Sequence, residues 1–213
     1  MYKENEFQLK HRKKQRIAVA ERKPMPKSSR LNEVWSIDFM SDSLSNGRKF
    51  RTFNVIDDFN REALTIEVDT SLPSARIIRS LGIIADERGF PKYIRSDNGP
   101  EFISHEFRRF CCSHRIRHRR IEPGKPQQNS YIERFNRSYR EDILDMYAFK
   151  NLHQVRDLTS EWVVEYNYDR GHDSLGGKSP IEYARSFSPF TPQQLGEGDK
   201  RKKTASKCQT LQL

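Results

Sequence analysis

The chain has 213 residues, with 39 Lys and Arg against 29 Asp and Glu, so its formal net charge is +10 and its pI is near 9.6. Its 34% hydrophobic content allows one ordinary core, of about 150 residues, and excludes a large second domain. The positive charge favours a polyanionic partner such as nucleic acid over an acidic small molecule.

Three regions of different character follow one another along the chain. Residues 1–30 carry the basic run His11–Arg16 and then a Pro-containing segment with little apolar periodicity, which predicts a basic N-terminal arm. Residues 31–187 show the periodic apolar pattern of one folded domain. Residues 188–213 are polar, and we expect them to form a disordered tail.

The first part of the predicted domain is rich in strand signals. Val34–Met40 reads as a mostly buried strand in which Asp38 is a polar intrusion. An Asn-Gly pair at 46–47 predicts a tight turn. Together with the β-rich stretches Phe50–Phe59 and Ala63–Val68, this pattern predicts a three-stranded antiparallel meander.

Helical spacing alternates with short strands in the rest of the domain. Helices are predicted over 74–88, 104–114 and 152–168, and short strands over 92–96 and 115–121, and a further short segment follows around 180–185. A further helix begins near Asn129, with an apolar stripe of Ile132, Phe135, Tyr139, Ile143 and Met146. Three consecutive strands followed by this alternation indicate a mixed α/β sheet flanked by helices.

Three acidic residues occupy informative positions. Asp38 lies inside the first strand, Asp97 ends a later strand before an Asn-Gly turn, and Glu133 lies near a helix start. Each alone has a structural explanation, as a buried ion-paired acid, a turn residue and a first-turn carboxylate respectively. If they converge, carboxylates about 4 Å apart repel by roughly 4 kcal/mol per pair at an effective dielectric of about 20. A divalent cation removes that repulsion, and two ions about 3.5–4 Å apart support in-line phosphoryl displacement.

The number and order of the motifs resemble those of the DDE transposases and retroviral-type integrases. Asp97 and Glu133 are separated by 35 residues, within SDNGPEF and the later GKPQQNSYIERFN, and WSIDF and VIDDFNRE precede them. The pattern is most similar to the second-frame transposase product of bacterial insertion sequences, over about residues 31–187. The resemblance implies an RNase H-like fold: a five-stranded sheet of a three-stranded meander plus two short parallel strands, flanked by helices.

Carried over residue by residue, the resemblance implies that Asp38, Asp97 and Glu133 hold Mg²⁺, with Mn²⁺ as a substitute and two ions in the site. It also implies a DNA contact for Arg140, seven positions after Glu133. Because positions 133, 137 and 140 share a helix face, Arg137 is a second candidate. For Arg137, pairing with a neighbouring glutamate is an equally good explanation.

Three further cations are candidate DNA contacts. Lys125 lies in the loop before Glu133, and Arg117 and Arg119 lie in the basic strand. Only alternate residues of a strand share a face, so about half of the charge in that strand is expected to be merely solvated.

Several polar residues are expected to support the site or its surroundings. Asn98 and Asn129 are predicted to hydrogen-bond the ligand loops, although Asn is also common at turns and helix caps. The Asp57 and Asp58 pair is interpreted as turn and Arg-pairing residues. His172 matches a family histidine, although a lone His is more often structural.

Two departures from the family pattern stand near these residues. Ser130 replaces a common Gly or Ala, and Gly171 replaces the usual Pro before His172. Neither removes a ligand, and both bear on loop rigidity.

The resemblance implies a transposase or integrase that cleaves at element ends and joins a 3′-hydroxyl to target DNA by direct transesterification, as a homo-oligomer on DNA. An alternative of another class is a truncated, non-catalytic DNA-binding remnant. A third, an RNase H-type nuclease acting on hybrids, explains the acids but not the motif order. Residues 1–25 resemble only the basic end of a helix-turn-helix segment, so an upstream-frame helix-turn-helix protein is an expected partner.

The cysteines and apolar runs bear on the compartment. Cys111, Cys112 and Cys208 form neither a disulfide framework nor a zinc-ligand pattern, which favours a reducing compartment. No run approaches the ~20 apolar residues that span a bilayer, and the first residues lack a secretory apolar core. We therefore expect a cytoplasmic, nucleoid-associated bacterial protein without membrane contact.

Overall fold

A five-stranded mixed sheet forms the centre of the computed structural model, which describes residues 28–122 and 126–187. Its strands are β1 (Val34–Ser43), β2 (Lys49–Asp57), β3 (Ala63–Asp69), β4 (Tyr93–Ser96) and β5 (Arg117–Arg120). Their order across the sheet is β3-β2-β1-β4-β5. The first three strands form an antiparallel meander, and β4 and β5 run parallel to β1, so the predicted sheet is confirmed.

The helices pack on both faces of this sheet. They are α1 (Ser74–Arg88), α2 (Pro100–Ile103), α3 (His105–Ser113), α4 (Ser130–Tyr139), α5 (Leu152–Tyr168) and α6 (Pro180–Phe187). The short helix α2 was not expected from the sequence. It carries the fully buried Phe102 into the core between β1 and α3.

Successive side chains of β1 point to opposite faces of the sheet, and the buried residues form one core on each face. Trp35 and Ile37 are fully buried on the side of α1 and α3, and burial of each contributes roughly 1.5–3 kcal/mol. Met40, on the opposite side, packs in the cluster that holds the apolar faces of α4 and α5. By the same alternation Asp38 points towards α4, so the fold places this acid between the sheet and that helix.

Strand β2 ends at Asp57, two residues earlier than predicted. Asp57 and Asp58 lie at the turn that follows it. Asp57 Oδ1 accepts a hydrogen bond from the Phe59 backbone N–H at 2.9 Å. Asp58 pairs with the Arg95 guanidinium at 2.8 Å and accepts from the Ser36 hydroxyl at 2.6 Å. Their interpretation as turn and Arg-pairing residues is confirmed.

The apolar stripe predicted for the helix after Asn129 is wrong at its last member. Helix α4 passes into a single π-helical turn over Arg140–Leu144. Because a π-turn accommodates an extra residue, it rotates the following residues away from the helical face they were predicted to share. Ile143 remains buried, whereas Met146 is 69% exposed.

None of the helices in the described ranges is both long enough and apolar enough to span a lipid bilayer.

Candidate active site

Asp38 is held by two hydrogen bonds in the middle of β1. Its Oδ1 accepts from the Phe39 backbone N–H at 2.8 Å, and its Oδ2 accepts from the Asn136 side-chain amide on α4, also at 2.8 Å. Both donors favour the ionised carboxylate. The side chain is thereby fixed in the groove between the sheet and α4.

The pKa of Asp38 is raised to about 6, first by burial and then by the negative charges of Asp97 and Glu133. The hydrogen bonds from Phe39 and Asn136 act in the opposite direction. Mutual repulsion of this kind requires that the three carboxylates lie within electrostatic range of one another. The structure therefore places the three acids that the sequence singles out within electrostatic range of one another, although not as close as the ligands of one metal ion.

Asp97 reaches this position through the parallel pairing of β1 and β4. Ser36 is level with Arg95 in that pair, and continuing the register places Asp97 level with Asp38. Asp97 Oδ1 accepts a hydrogen bond from the Gly99 backbone N–H at 2.9 Å, which closes the turn after β4. A Cβ at position 99 would lie 3.1 Å from that oxygen, so the absence of a side chain there leaves the carboxylate in place.

Glu133 approaches from the first turn of α4, with an exposed side chain. Within residues 28–122 and 126–187, no three His, Cys, Asp or Glu side chains are gathered closely enough to hold a metal ion. The charges of Asp97 and Glu133 thus act on Asp38 although the three carboxylates do not form a ligand cluster. Carboxylates without a compensating cation repel one another. Their hard oxygen donors are the ligand type that Mg²⁺ takes, so the residues present fit such an ion.

Asn136 is the supporting residue that the sequence analysis missed. Its amide donates to Asp38, and its Oδ1 accepts from Asn54 Nδ2 of β2 at 2.7 Å, with both Asn side chains buried. The signal was a polar residue next to the buried Phe135, three positions after Glu133. Asn136 thus connects the helix bearing Glu133 to the strand bearing Asp38.

Among the described residues, neither of the two asparagines predicted to support the ligand loops hydrogen-bonds Asp38, Asp97 or Glu133. Asn98 donates to the Ile121 carbonyl at 3.0 Å, which joins the turn after Asp97 to the end of β5. Asn129 is buried immediately before α4, and its Oδ1 has no hydrogen-bond partner within the described residues. Both positions flank ligand-bearing segments, and their supporting role stays a prediction.

The arginines on and after α4 differ in their surroundings. Arg137 is exposed. Arg140 lies against the end of β1, where its guanidinium donates to the Ser41 carbonyl at 3.1 Å and lies 3.4 Å from Asp42 and 3.5 Å from Asp145. Arg140 is therefore partly engaged within the fold. Lys125 lies outside the described residues.

Arg117 and Arg119 lie on one face of β5. Both guanidinium groups stand over the Tyr93 ring, at 6.0 and 5.9 Å from its centroid. Arg119 is level with Arg95 of β4, and Arg95 is level with Ser36 of β1. The side chains of Arg117 and Arg119 therefore point to the same face of the sheet as Asp38. His118 points to the opposite face, where it contacts the Phe107 ring. The alternation expected for this strand is confirmed.

A mixed sheet with acids at the adjacent positions of β1 and β4 and on a crossing helix defines an RNase H-like α/β domain. Two profiles described as "Integrase core domain" match this chain, one over residues 28–126 and one over residues 114–180. The chain therefore belongs to the integrase core domain family.

Curated relatives connect this domain with bacterial insertion elements. The chain is 40% identical over 200 residues to "Insertion element IS476 uncharacterized 39.2 kDa protein" of Xanthomonas euvesicatoria, covering 90% of this chain and 58% of that protein. It is 37% identical over 184 residues to "Insertion element IS407 uncharacterized 31.7 kDa protein" of Burkholderia multivorans, covering 86% of this chain and 66% of that protein. The chain thus spans less than two thirds of the length of either relative.

The fold is also found in a solved structure described as "HTLV-2 integrase catalytic core domain in complex with magnesium (trimeric form)". The TM-score is 0.55 at 20% sequence identity, over 73% of this chain and 98% of that one. The likeness confirms the predicted RNase H-like fold.

Proposed function

We propose that residues 31–187 are the catalytic core of an insertion-sequence transposase that joins a 3′-hydroxyl DNA end to target DNA. The observation that carries this proposal is the placement of Asp38 in β1, level with Asp97 directly after β4 and hydrogen-bonded at 2.8 Å to Asn136 of the helix that bears Glu133. Paired acids in an integrase core domain, within a chain whose formal net charge is +10, suit metal-assisted chemistry on a polyanion.

Asp38, Asp97 and Glu133 would hold Mg²⁺, or Mn²⁺ in its place, and a pair of ions suits the reaction. Bound there, such ions supply charge stabilisation for the attacking and leaving oxygens of an in-line displacement. The magnesium named for the HTLV-2 core belongs to that protein, and the shared fold supports a divalent metal ion here.

The remaining residues of the site position ligands and substrate. Asn136 orients Asp38, and the Gly99 N–H orients Asp97. Arg117 and Arg119 lie on the sheet face of Asp38 and contact DNA phosphates, together with Arg137 and Arg140 after Glu133 and Lys125 before it. In the reaction, the 3′ oxygen bonds to a target phosphorus while the target P–O3′ bond breaks. The protein forms no covalent bond to DNA.

The partners follow from this chemistry. Joining two element ends to one target favours a homo-oligomer assembled on DNA at the bacterial nucleoid. The basic residues of the 1–30 segment add phosphate contacts, and a helix-turn-helix protein from an upstream frame supplies end recognition. The tail predicted over residues 188–213 lies outside the described residues, as do residues 1–27 of the predicted arm.

A strand-transfer assay tests the proposal. The protein is incubated with end-containing oligonucleotides, target DNA and Mg²⁺ or Mn²⁺, and joined product is measured. We expect Asp97→Asn to reduce product by at least about 10²-fold, because removing a metal ligand removes several kcal/mol of transition-state stabilisation. Asp86→Asn is the matched control, since it makes the same charge change at an exposed position of α1.

The outcomes separate the candidate functions. Equal product from wild type and Asp97→Asn would contradict a catalytic role for the acids. DNA binding by the wild type without any product would favour the non-catalytic remnant. Cleavage of RNA in a hybrid without strand transfer would favour the nuclease.

A further inference from the structure

A basic pocket lies beside α4, on a different stripe of the helix from Glu133. It has a volume of about 260 Å³ and is lined by Ser130, Arg134 and Ser138 of α4, by the Arg170–Ser174 loop and by Arg61 of the β2–β3 turn. Positions 130, 134 and 138 share one helical stripe, and positions 133 and 137 form the stripe next to it. One DNA strand crossing α4 can therefore meet both stripes.

Three guanidinium groups converge on this pocket. Arg170 is paired with Asp142, and Arg61 stacks on the Tyr131 ring, 3.4 Å from its centroid. Within the described part of the chain, neither Arg61 nor Arg134 forms an ion pair with a carboxylate. Asp173 is the one acid in the lining, so two arginine charges remain without a carboxylate partner.

His172 supplies a polar atom without a partner among these cations. Its backbone N–H donates to the Lys178 carbonyl at 3.0 Å, and its ring packs edge-on against Tyr166. The ring Nε2 is buried and has no hydrogen-bond partner within the described residues. Burial, followed by Arg170 and Arg61, lowers the pKa of His172. The neutral ring with its proton on Nε2 is a hydrogen-bond donor that calls for an acceptor.

The chemistry of the pocket specifies an oxyanion. Guanidinium groups present planar pairs of N–H donors that match the oxygens of a phosphate, and the hydroxyls of Ser130 and Ser174 add further donors. A pocket of about 260 Å³ accommodates a phosphodiester group.

We propose that the pocket formed by Arg61, Arg134, Arg170 and His172 binds one backbone phosphate of a DNA strand and so fixes its path across α4. The inference rests on the proposed function, because it takes DNA as the substrate. It adds a phosphate-binding site separate from the arginines of β5 and from Arg137.

DNA affinity measured over a range of salt concentrations tests this proposal. Full-length protein is titrated into a fluorescently labelled end-containing duplex between 50 and 200 mM salt, and anisotropy gives Kd. We expect Arg134→Gln and Arg61→Gln each to weaken binding about tenfold at low salt. Each should also reduce the slope of log Kd against log salt by about one, the signature of one lost phosphate contact.

The double variant and a matched control sharpen the result. Because both arginines contact the same phosphate, the two substitutions together should reduce the slope by about one rather than two. Arg79→Gln, at an exposed position of α1, removes the same charge across the sheet and should change Kd less than twofold. Thermal unfolding confirms that each variant is folded, and Arg134, being exposed, keeps the test valid if Arg61→Gln is unstable.

Two results overturn the proposal in distinguishable ways. If Arg134→Gln behaves like Arg79→Gln while the wild type still binds DNA and transfers strands, the pocket inference is wrong and the proposed function stands. If the wild type neither binds DNA nor transfers strands, both are wrong.

Discussion

Asp38 lowers the stability of the folded protein and provides a carboxylate for the candidate metal site. It lies between the fully buried Ile37 and the aromatic Phe39 in the central strand, a place where an apolar residue would be expected. Burial and two nearby carboxylates raise its pKa to about 6. The ionised form is therefore disfavoured by the fold until a cation compensates for it.

Substitution of Asp38 by Asn should stabilise the metal-free protein near neutral pH. The folded-state pKa of about 6 lies above the ordinary 3.8, so the carboxyl increasingly opposes folding as the pH rises from 3.8 to 6, and the cost is complete above pH 6. Well below the unfolded-state value, at about pH 3, the carboxyl is protonated in both states. We expect the free energy of unfolding in EDTA to rise by about 1–3 kcal/mol at pH 7, with the difference vanishing near about pH 3. Urea unfolding at both pH values measures this, and a variant less stable than wild type at pH 7 would contradict the electrostatic account.

The supporting role of Asn136 could not be predicted from the sequence. The three acids stood out because each interrupted a strand, a turn or a helix start in a recognisable motif. Asn136 ends the GKPQQNSYIERFN motif, but its amide gains a role only because α4 lies across β1 and β2, where it reaches Asp38 and Asn54. Contacts between residues distant in the chain depend on the helix-to-sheet docking, which local patterns do not encode.

At the scale of elements, the loop after α5 depends on a glycine. A Cβ on Gly171 would lie 2.5 Å from the Gly177 carbonyl oxygen, closer than real Cβ contacts allow. The approach is enforced by the pairing of His172 with Lys178, whose backbone groups hydrogen-bond at 3.0 Å. The residue that departs from the usual Pro of this family is thus required by the close packing of this loop.

Gly171→Ala should therefore destabilise the protein by about 1–3 kcal/mol, since the 171–177 loop must open to admit the methyl group. Gly82→Ala is the matched control, because a Cβ on Gly82 in α1 meets no atom within 4 Å. Its gain in helix propensity should make it neutral or stabilising by up to about 1 kcal/mol. Equal unfolding free energies for the two variants would show that the close approach is not enforced in solution.

The ends of two helices could be predicted from the sequence, and the end of a third could not. The bounds of α1 and α5 agree with the predictions, because Pro73 and Gly89 bracket the first and Asn151 caps the second through its hydrogen bond to Gln154. The prediction for the helix carrying Glu133 is wrong at its end. Periodicity assumes an unbroken α-helix, whereas this helix passes into a π-turn over Arg140–Leu144. In that turn Arg140 donates to the Ser41 carbonyl of β1, and Asp142 accepts from Trp162 of α5.

At the scale of the whole molecule, the two faces of the sheet carry different kinds of residue. The face covered by α1 and α3 is an apolar core. The other face holds a second core under α4 and α5 and, beyond it, Asp38 with Arg117 and Arg119. Acids for metal ions and cations for phosphates thus lie on one side, as a DNA-joining domain requires.

Calorimetric titration of Mn²⁺ into the protein bound to an end-containing oligonucleotide tests the metal site most directly. We expect wild-type protein and the exposed-acid control Asp86→Asn to bind Mn²⁺ alike. Asp38→Asn, Asp97→Asn and Glu133→Gln should each weaken that binding at least about tenfold, since each replaces a charged carboxylate ligand with a neutral amide. If the three variants bind Mn²⁺ as tightly as wild type, these acids do not form the metal site and the proposed function loses its chemical basis.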